Sequence, residues 1–210
     1  MWHILPVLGK EWAGSQRQLT DLLFLCSMKW KTLESEYISE HIYFTARRDR
    51  CQREDGAIID PYFVVEMPTS ATALALTADN KVLLVNQYRH PIKKVVLEFP
   101  GGFVDPGEDF ATAMHRELLE ETGYRFDKVE WVGRVAANPG VLTNYTELFL
   151  ATGGVKTQEQ QLDHNEEIEV LEMPMEEFLE KVRKQELVQA LHVSCLFFAL
   201  LKSGKLAFTG

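Results

Sequence analysis

The chain has 210 residues, with 31 acidic and 22 strongly basic side chains, a formal net charge of −9 and a pI near 5.2. That length accommodates one domain, or one domain with a smaller appendage, and 46% hydrophobic with 25% charged content excludes a disordered or fibrous chain. The negative balance argues against a protein that coats nucleic acid or anionic lipid, because binding phosphate in that way needs net Lys and Arg.

From the N-terminus, Leu22-Leu23-Phe24-Leu25 is apolar, but no basic region precedes it and no small-residue cleavage site follows. Residues 1–36 are therefore expected to be an extension, with Met28 as a candidate true start. Neither this run nor Cys195–Leu201 is long enough to span a bilayer, so no membrane partner is expected. Cys26, Cys51 and Cys195 are far apart and odd in number, which indicates neither a disulfide framework nor a structural zinc site and points to a reducing, cytoplasmic setting.

Residues 37–66 read as a β-rich segment: His41–Thr45 is β-prone, and Asp55-Gly56 offers a hairpin turn before Ala57–Glu66. Residues 67–210 form the main domain. Strands are expected over 71–77 and 81–87, flanking the turn Ala78-Asp79-Asn80, and over 95–99, ended by Pro100-Gly101-Gly102. Phe110, Met114 and Leu118 recur every four residues and predict a helix over 109–122. Strands follow at 128–135, 145–151 and 167–173, then helices near 175–184 and 186–202. Mainly hairpin connections make this an α+β chain rather than a doubly wound parallel sheet.

On the predicted helix, Glu117, Glu120 and Glu121 lie at i, i+3 and i+4 and share one face. Three carboxylates so close repel unless a cation lies among them, and hard oxygen ligands suit Mg²⁺ or Mn²⁺. The competing reading of the triplet alone is a solvated acidic face. Around it stand Gly102, Glu108, Arg116, Leu118 and Gly123. With the three glutamates these residues match the Nudix box, G-x5-E-x7-R-E-U-x-E-E-x-G-U, in which U is a bulky aliphatic residue. Tyr124 at the last position is the one departure. The chain thus resembles the Nudix hydrolases.

That resemblance implies a Nudix-fold α/β/α sandwich and Mg²⁺- or Mn²⁺-dependent cleavage of a nucleoside diphosphate linked to another group. It assigns metal binding to Glu117, Glu120 and Glu121, a glutamate-orienting role to Arg116, and support of the loop–helix geometry to Glu108. Gln87-Tyr88-Arg89-His90 and Leu97–Gly102 resemble the ADP-ribose pyrophosphatase branch and its nucleotide-sugar relatives. By that likeness Arg89 contacts the diphosphate, Glu98 sits beside the site and the Gly101 carbonyl is a metal ligand. The expected substrate is ADP-ribose or a related nucleotide sugar. The branch usually places a glutamate after a Ser-Pro-Gly loop; here Asn138-Pro139-Gly140 is followed by Glu147, expected on a strand, so Glu166 and Glu167 are the alternative bases.

Residues 37–66 resemble the branch's dimerisation segment, so a homodimer is expected. Tyr43, Phe44, Tyr62 and Phe63 are either packing residues or a base platform, and Arg47, Arg48, Arg50 and Arg53 either a solvated edge or a phosphate or RNA contact. Other readings are hydrolysis of GDP-mannose, a dinucleoside polyphosphate or a damaged nucleoside triphosphate, and a non-catalytic sensor. The sensor would be expected to have lost box acids, all of which are present. An isomerase of this fold would need a cysteine near the box. The charge is concentrated in two zones, a net −5 over residues 102–124 and a net −9 over residues 159–180.

Overall fold

The computed structural model describes residues 29–41, 44–164 and 166–206. The expectations for residues 1–28, including Met28 as a start, and for Tyr43 lie outside the described residues. Two compact units are present: one runs to Glu40 and includes Ala46–Val64, and the other holds His41–Thr45 and Val65 onward.

The first unit is built on a three-stranded sheet in the order β1 (Lys31–His41), β2 (Phe44–Gln52), β3 (Ile58–Glu66). β1 starts ahead of residue 37, where a strand signal first becomes legible. It is solvated along almost its whole length and so carries no inside–outside alternation. Of the stretch His41–Thr45, expected as one strand, His41 ends β1 and Phe44 and Thr45 open β2. Asp55-Gly56 forms the expected turn: Arg53 N–H donates to Ala57 O at 2.9 Å, with Gly56 at φ +85°. The four arginines pair with acids, Arg47 with Asp49, Arg48 with Glu36, Arg50 with Asp60 and Arg53 with Asp55. They therefore carry little unbalanced positive charge for an RNA contact.

The second unit is organised on an eight-stranded sheet whose main path is β11 (Ile168–Pro174), β5 (Lys81–Arg89), β4 (Ser70–Thr77), β10 (Thr146–Lys156), β8 (Tyr124–Arg125). β6 (Lys94–Glu98) pairs with β5, β7 (Gly101–Phe103) with β4 and β9 (Lys128–Val135) with β10. Helix α1 (Phe110–Thr122) packs on one face, and α2 (Met175–Arg183) and α3 (Ala190–Lys202) on the other.

Strand alternation sorts the core. Ala71, Ala73 and Ala75 with Leu83, Phe149 and Ala151 face Met114 and Leu118 of α1. Leu74, Leu76, Val82, Leu84, Leu148 and Leu150 face Phe178 of α2 and Cys195, Leu196 and Ala199 of α3. Both faces of these strands are covered, so they read as continuous apolar runs. At the centre, β4 and β10 pair in parallel, from Thr146 opposite Ser70 to Ala151 opposite Ala75. This long-range pairing stands within a sheet whose other named strand pairs are antiparallel, and it brings the loop before β10 beside the start of β4.

Helix boundaries shift for local reasons. Asp109 is the N-cap of α1, its Oδ2 accepting the Ala111 and Thr112 N–H groups at 3.1 Å each. The last helix begins at Ala190 rather than 186, because the segment before it runs non-helically and buries Leu187. β10 runs beyond 151 through an irregularity where Gly153 has φ +75°; a Cβ there would meet the Asp127 carboxylate at 2.5 Å.

Candidate active site

Helix α1 is anchored at both ends, by Asp109 at its start and by Gly123 at φ +77°, whose N–H donates to Leu119 O at 2.9 Å. With Met114 and Leu118 fully buried under the sheet, the Glu117–Glu120–Glu121 face turns toward β7. Gly101 and Gly102 of β7 are required by that approach. Gly101 has φ +154°, and a Cβ on it would run into the backbone of Ala71 and Thr72. A Cβ on Gly102 would meet the Glu117 carboxylate at 2.5 Å.

Arg116 ties this face to the preceding loop. Its Nε and Nη2 donate to the two Glu108 oxygens at 3.1 and 3.0 Å, and Nη2 also reaches Phe103 O at 3.1 Å. Its Nη1 donates to Glu117 at 2.8 Å and to Glu120 at 3.1 Å. The paired guanidinium holds the Glu108 carboxyl below its ordinary value. Glu121 is buried, and its Oε2 accepts the Gly101 N–H at 2.7 Å. Burial raises Glu117 to about 7, against the opposing pull of Arg116, and raises Glu121 to about 8, with Glu117 and Glu166 adding like-charge repulsion.

These groups border a cavity of about 920 Å³ that also receives Arg89, Glu98, Gly101 and Glu166. Arg89 closes β5, and its Nε and Nη2 grip Glu98 of the adjacent β6, with Nε to Oε1 at 3.0 Å. Glu98 is almost fully buried, so its charge fixes the guanidinium plane at the cavity edge. Glu166 lies in the loop before β11, with its Oε2 accepting the Asp163 N–H at 3.0 Å. Glu167 is exposed and does not border the cavity, so the structure separates the two alternative bases. Glu147 is turned away from the cavity: it is buried and accepts from Trp131 Nε1 at 2.7 Å and Arg134 Nε at 2.5 Å. Arg134 in turn stacks on Phe110 and Tyr145.

The carboxylates suit a hard divalent cation. Among the described residues, no three Asp, Glu, His or Cys side chains are gathered as a closed ligand set. Arg116 Nη1 lies between Glu117 and Glu120 instead. Yet Glu121 is buried and Glu117 is largely withdrawn from solvent, and that desolvation raises both carboxyls. A dication beside hard oxygen donors removes that penalty.

Sequence reasoning missed part of the wall. Thr72 of β4, Asn144 of the loop before β10, and Gln189, Leu191 and His192 at the start of α3 all border the cavity. None is adjacent in the chain to the box. A weak signal was His192, which with Gln189 and Ser194 interrupts the otherwise apolar stretch Val188–Leu201.

Comparison with known proteins places these features in context. A model described as NUDIX domain matches residues 67–191, and one described as nucleoside diphosphate sugar hydrolase N-terminal domain matches residues 30–65. The chain is 31% identical over 162 residues to the methanol dehydrogenase activator of Bacillus methanolicus, covering 75% of this chain and 88% of that one. It is 31% identical over 140 residues to the ADP-ribose pyrophosphatase of Bacillus subtilis, covering 66% and 76%. A crystal structure of an ADP compounds hydrolase superimposes with a TM-score of 0.74 at 20% identity, over 85% of this chain and 97% of that one, a likeness of fold.

Proposed function

The chain belongs to the Nudix family, and on that premise we propose that it hydrolyses the diphosphate bond of ADP-ribose or a related nucleoside diphosphate sugar, giving a nucleoside monophosphate and a sugar phosphate. The observation that carries this reading is the convergence on one cavity of an arginine, Arg89, with the box carboxylates Glu117, Glu120 and Glu121 and with Glu166.

In this proposal Glu98 holds Arg89 through Nε and Nη2, leaving Nη1 for the diphosphate oxygens. Glu117, Glu120, Glu121 and the Gly101 carbonyl hold Mg²⁺ or Mn²⁺. When bound, the ion neutralises the diphosphate and makes water more acidic. Glu166 accepts a proton from the attacking water, whose oxygen joins one phosphorus while the bridging oxygen departs with the other phosphate. Arg116 positions Glu117 and Glu120. Glu167, exposed and outside the cavity, has no role in this scheme. We further propose a homodimer formed through the β1–β3 segment and a cytoplasmic location; among the described residues no helix is long and apolar enough to cross a membrane.

Product chromatography with Mg²⁺ across ADP-ribose, ADP-glucose, GDP-mannose and diadenosine polyphosphates tests the substrate class. Preferred cleavage of a nucleotide sugar to two monophosphates is expected. Preferred cleavage of diadenosine polyphosphates would refute the reading.

A further inference from the structure

Three buried side-chain polar atoms among the described residues have no hydrogen-bond partner: Asn144 Oδ1, Gln189 Oε1 and His192 Nε2. All three residues border the one large cavity, and each of the unpartnered atoms is an acceptor. Buried polar atoms without partners are uncommon, because each forfeits its solvation with nothing in return. Three on one wall mark a surface built to meet donors supplied from outside the chain.

The local bonds determine what each atom offers. Asn144 Nδ2 donates to Pro68 O at 3.0 Å, which orients the amide and leaves Oδ1 as the unused end. The Thr72 hydroxyl donates to Pro100 O at 3.1 Å, so toward His192 Nδ1, 3.4 Å away, it can only accept. The ring proton therefore sits on Nδ1, and Nε2 carries a bare lone pair. His192 is 5% exposed and its ring meets Phe99 edge-on, which fixes the ring plane. Burial, with the Arg89 charge nearby, lowers its pKa to about 3, so the ring stays neutral. Glu98 Oε2, itself an acceptor, lies 4.0 Å from Nε2. His192 Nε2 thus faces on this side an acceptor that Arg89 already engages, and no donor.

We propose that His192, Gln189 and Asn144 form a hydrogen-bond-accepting subsite that recognises hydroxyl or amino donors on the non-phosphate part of the ligand and sets specificity. The inference rests on the nucleotide-sugar reading, because a diphosphate has only acceptors while its sugars and base carry donors. Arg89 and the carboxylate cluster with its metal handle the anionic centre of the ligand, and the start of α3 with the loop before β10 handles what lies beyond it. His192 leads the set because it combines near-complete burial with a fixed tautomer.

The test crosses protein variants with ligand analogues. His192→Phe keeps a ring against Phe99 and removes the acceptor; Gln189→Met keeps length and removes the amide. Each is assayed for kcat/KM on ADP-ribose, on its analogue lacking one hydroxyl of the terminal ribose, and on the analogue with hypoxanthine in place of adenine. Wild type is expected to favour ADP-ribose over at least one analogue by tenfold or more, and that preference is expected to collapse in a variant. Collapse for the deoxy analogue assigns the subsite to the sugar, and collapse for the hypoxanthine analogue assigns it to the base. If the variants lower all three substrates by one common factor, or change none, the subsite is refuted. Thermal melting checks the fold of His192→Phe, and Gln189→Met, at the partly solvated helix N-cap, provides the independent variant. Failure of the underlying reading looks different: wild type then cleaves none of the three.

Discussion

Replacing Glu121 by glutamine separates what the acidic cluster costs from what it does. Glu121 is 5% exposed, and its Oε2 accepts the Gly101 N–H at 2.7 Å, a bond that a glutamine amide oxygen can keep. Burial raises the carboxyl from its ordinary 4.5 to about 8. Between those values the folded protein binds more protons than the unfolded chain. Stability of the metal-free protein is therefore full below the unfolded value and falls as pH rises through the folded one. One pKa unit corresponds to about 1.4 kcal/mol. Allowing roughly half for relaxation and water entry, the advantage of glutamine over glutamate is expected to grow by ~2 kcal/mol between about pH 5.5 and about pH 9. For a chain of this size that is roughly 4–8 °C in Tm. Urea unfolding and thermal melts with chelator at both pH values measure it, alongside activity with Mg²⁺, which the variant is predicted to lose. A variant no more stable at the higher pH, or a difference independent of pH, would refute the reasoning.

Three further outcomes follow from the same geometry. Glu166→Gln is predicted to lower kcat by at least ~10²-fold, in the range of a lost general base, while Glu167→Gln stays near wild type; equal losses in steady-state kinetics would count against Glu166. Gly102→Ala places a methyl against the Glu117 carboxylate and should cut activity by ~10-fold or more, in the range expected when a catalytic group is misplaced by about 1 Å. Its fold should survive by circular dichroism, since the obstructing atoms are the end of a flexible side chain. Arg134→Ala leaves Glu147 buried without its cation, retaining only the Trp131 donor. A stability loss of ~2–3 kcal/mol in denaturant unfolding is expected, somewhat below the cost of breaking a fully buried pair because Arg134 is half-exposed.

What could be read from the sequence was what is local in the chain. The helix of the box, its carboxylate face and its ending at Gly123 all follow from spacing within one stretch of about twenty residues, since i, i+3 and i+4 positions are neighbours by helix geometry alone. The short-range turns at Asp55-Gly56 and Ala78–Asn80 were equally accessible. The solvated strand β1 was not, because a strand with no buried face shows no period. Nor was the parallel pairing of β4 with β10, which joins segments some 75 residues apart. That pairing determines which loop meets the box, and it is why Asn144 and Thr72 share a cavity with Glu117. Gln189 was illegible as a site residue, and His192 showed only its polarity, because α3 reaches the cavity by packing on the far face of the sheet. Glu147 shows the converse: it stands near the position where the branch has its base, yet strand alternation and the Arg134 pair turn it away from the cavity.

The claim that the box and the arginine together form a diphosphate-cleaving centre is tested most directly by following ADP-ribose by ³¹P NMR with the wild-type protein and Mg²⁺. The account predicts that the two diphosphate resonances disappear together and two monophosphate resonances grow in equal amounts, with the reaction stopped by chelator and in Glu120→Gln. Diphosphate resonances that shift on binding but persist unchanged in intensity would contradict it and identify a module that binds nucleotide sugars without cleaving them.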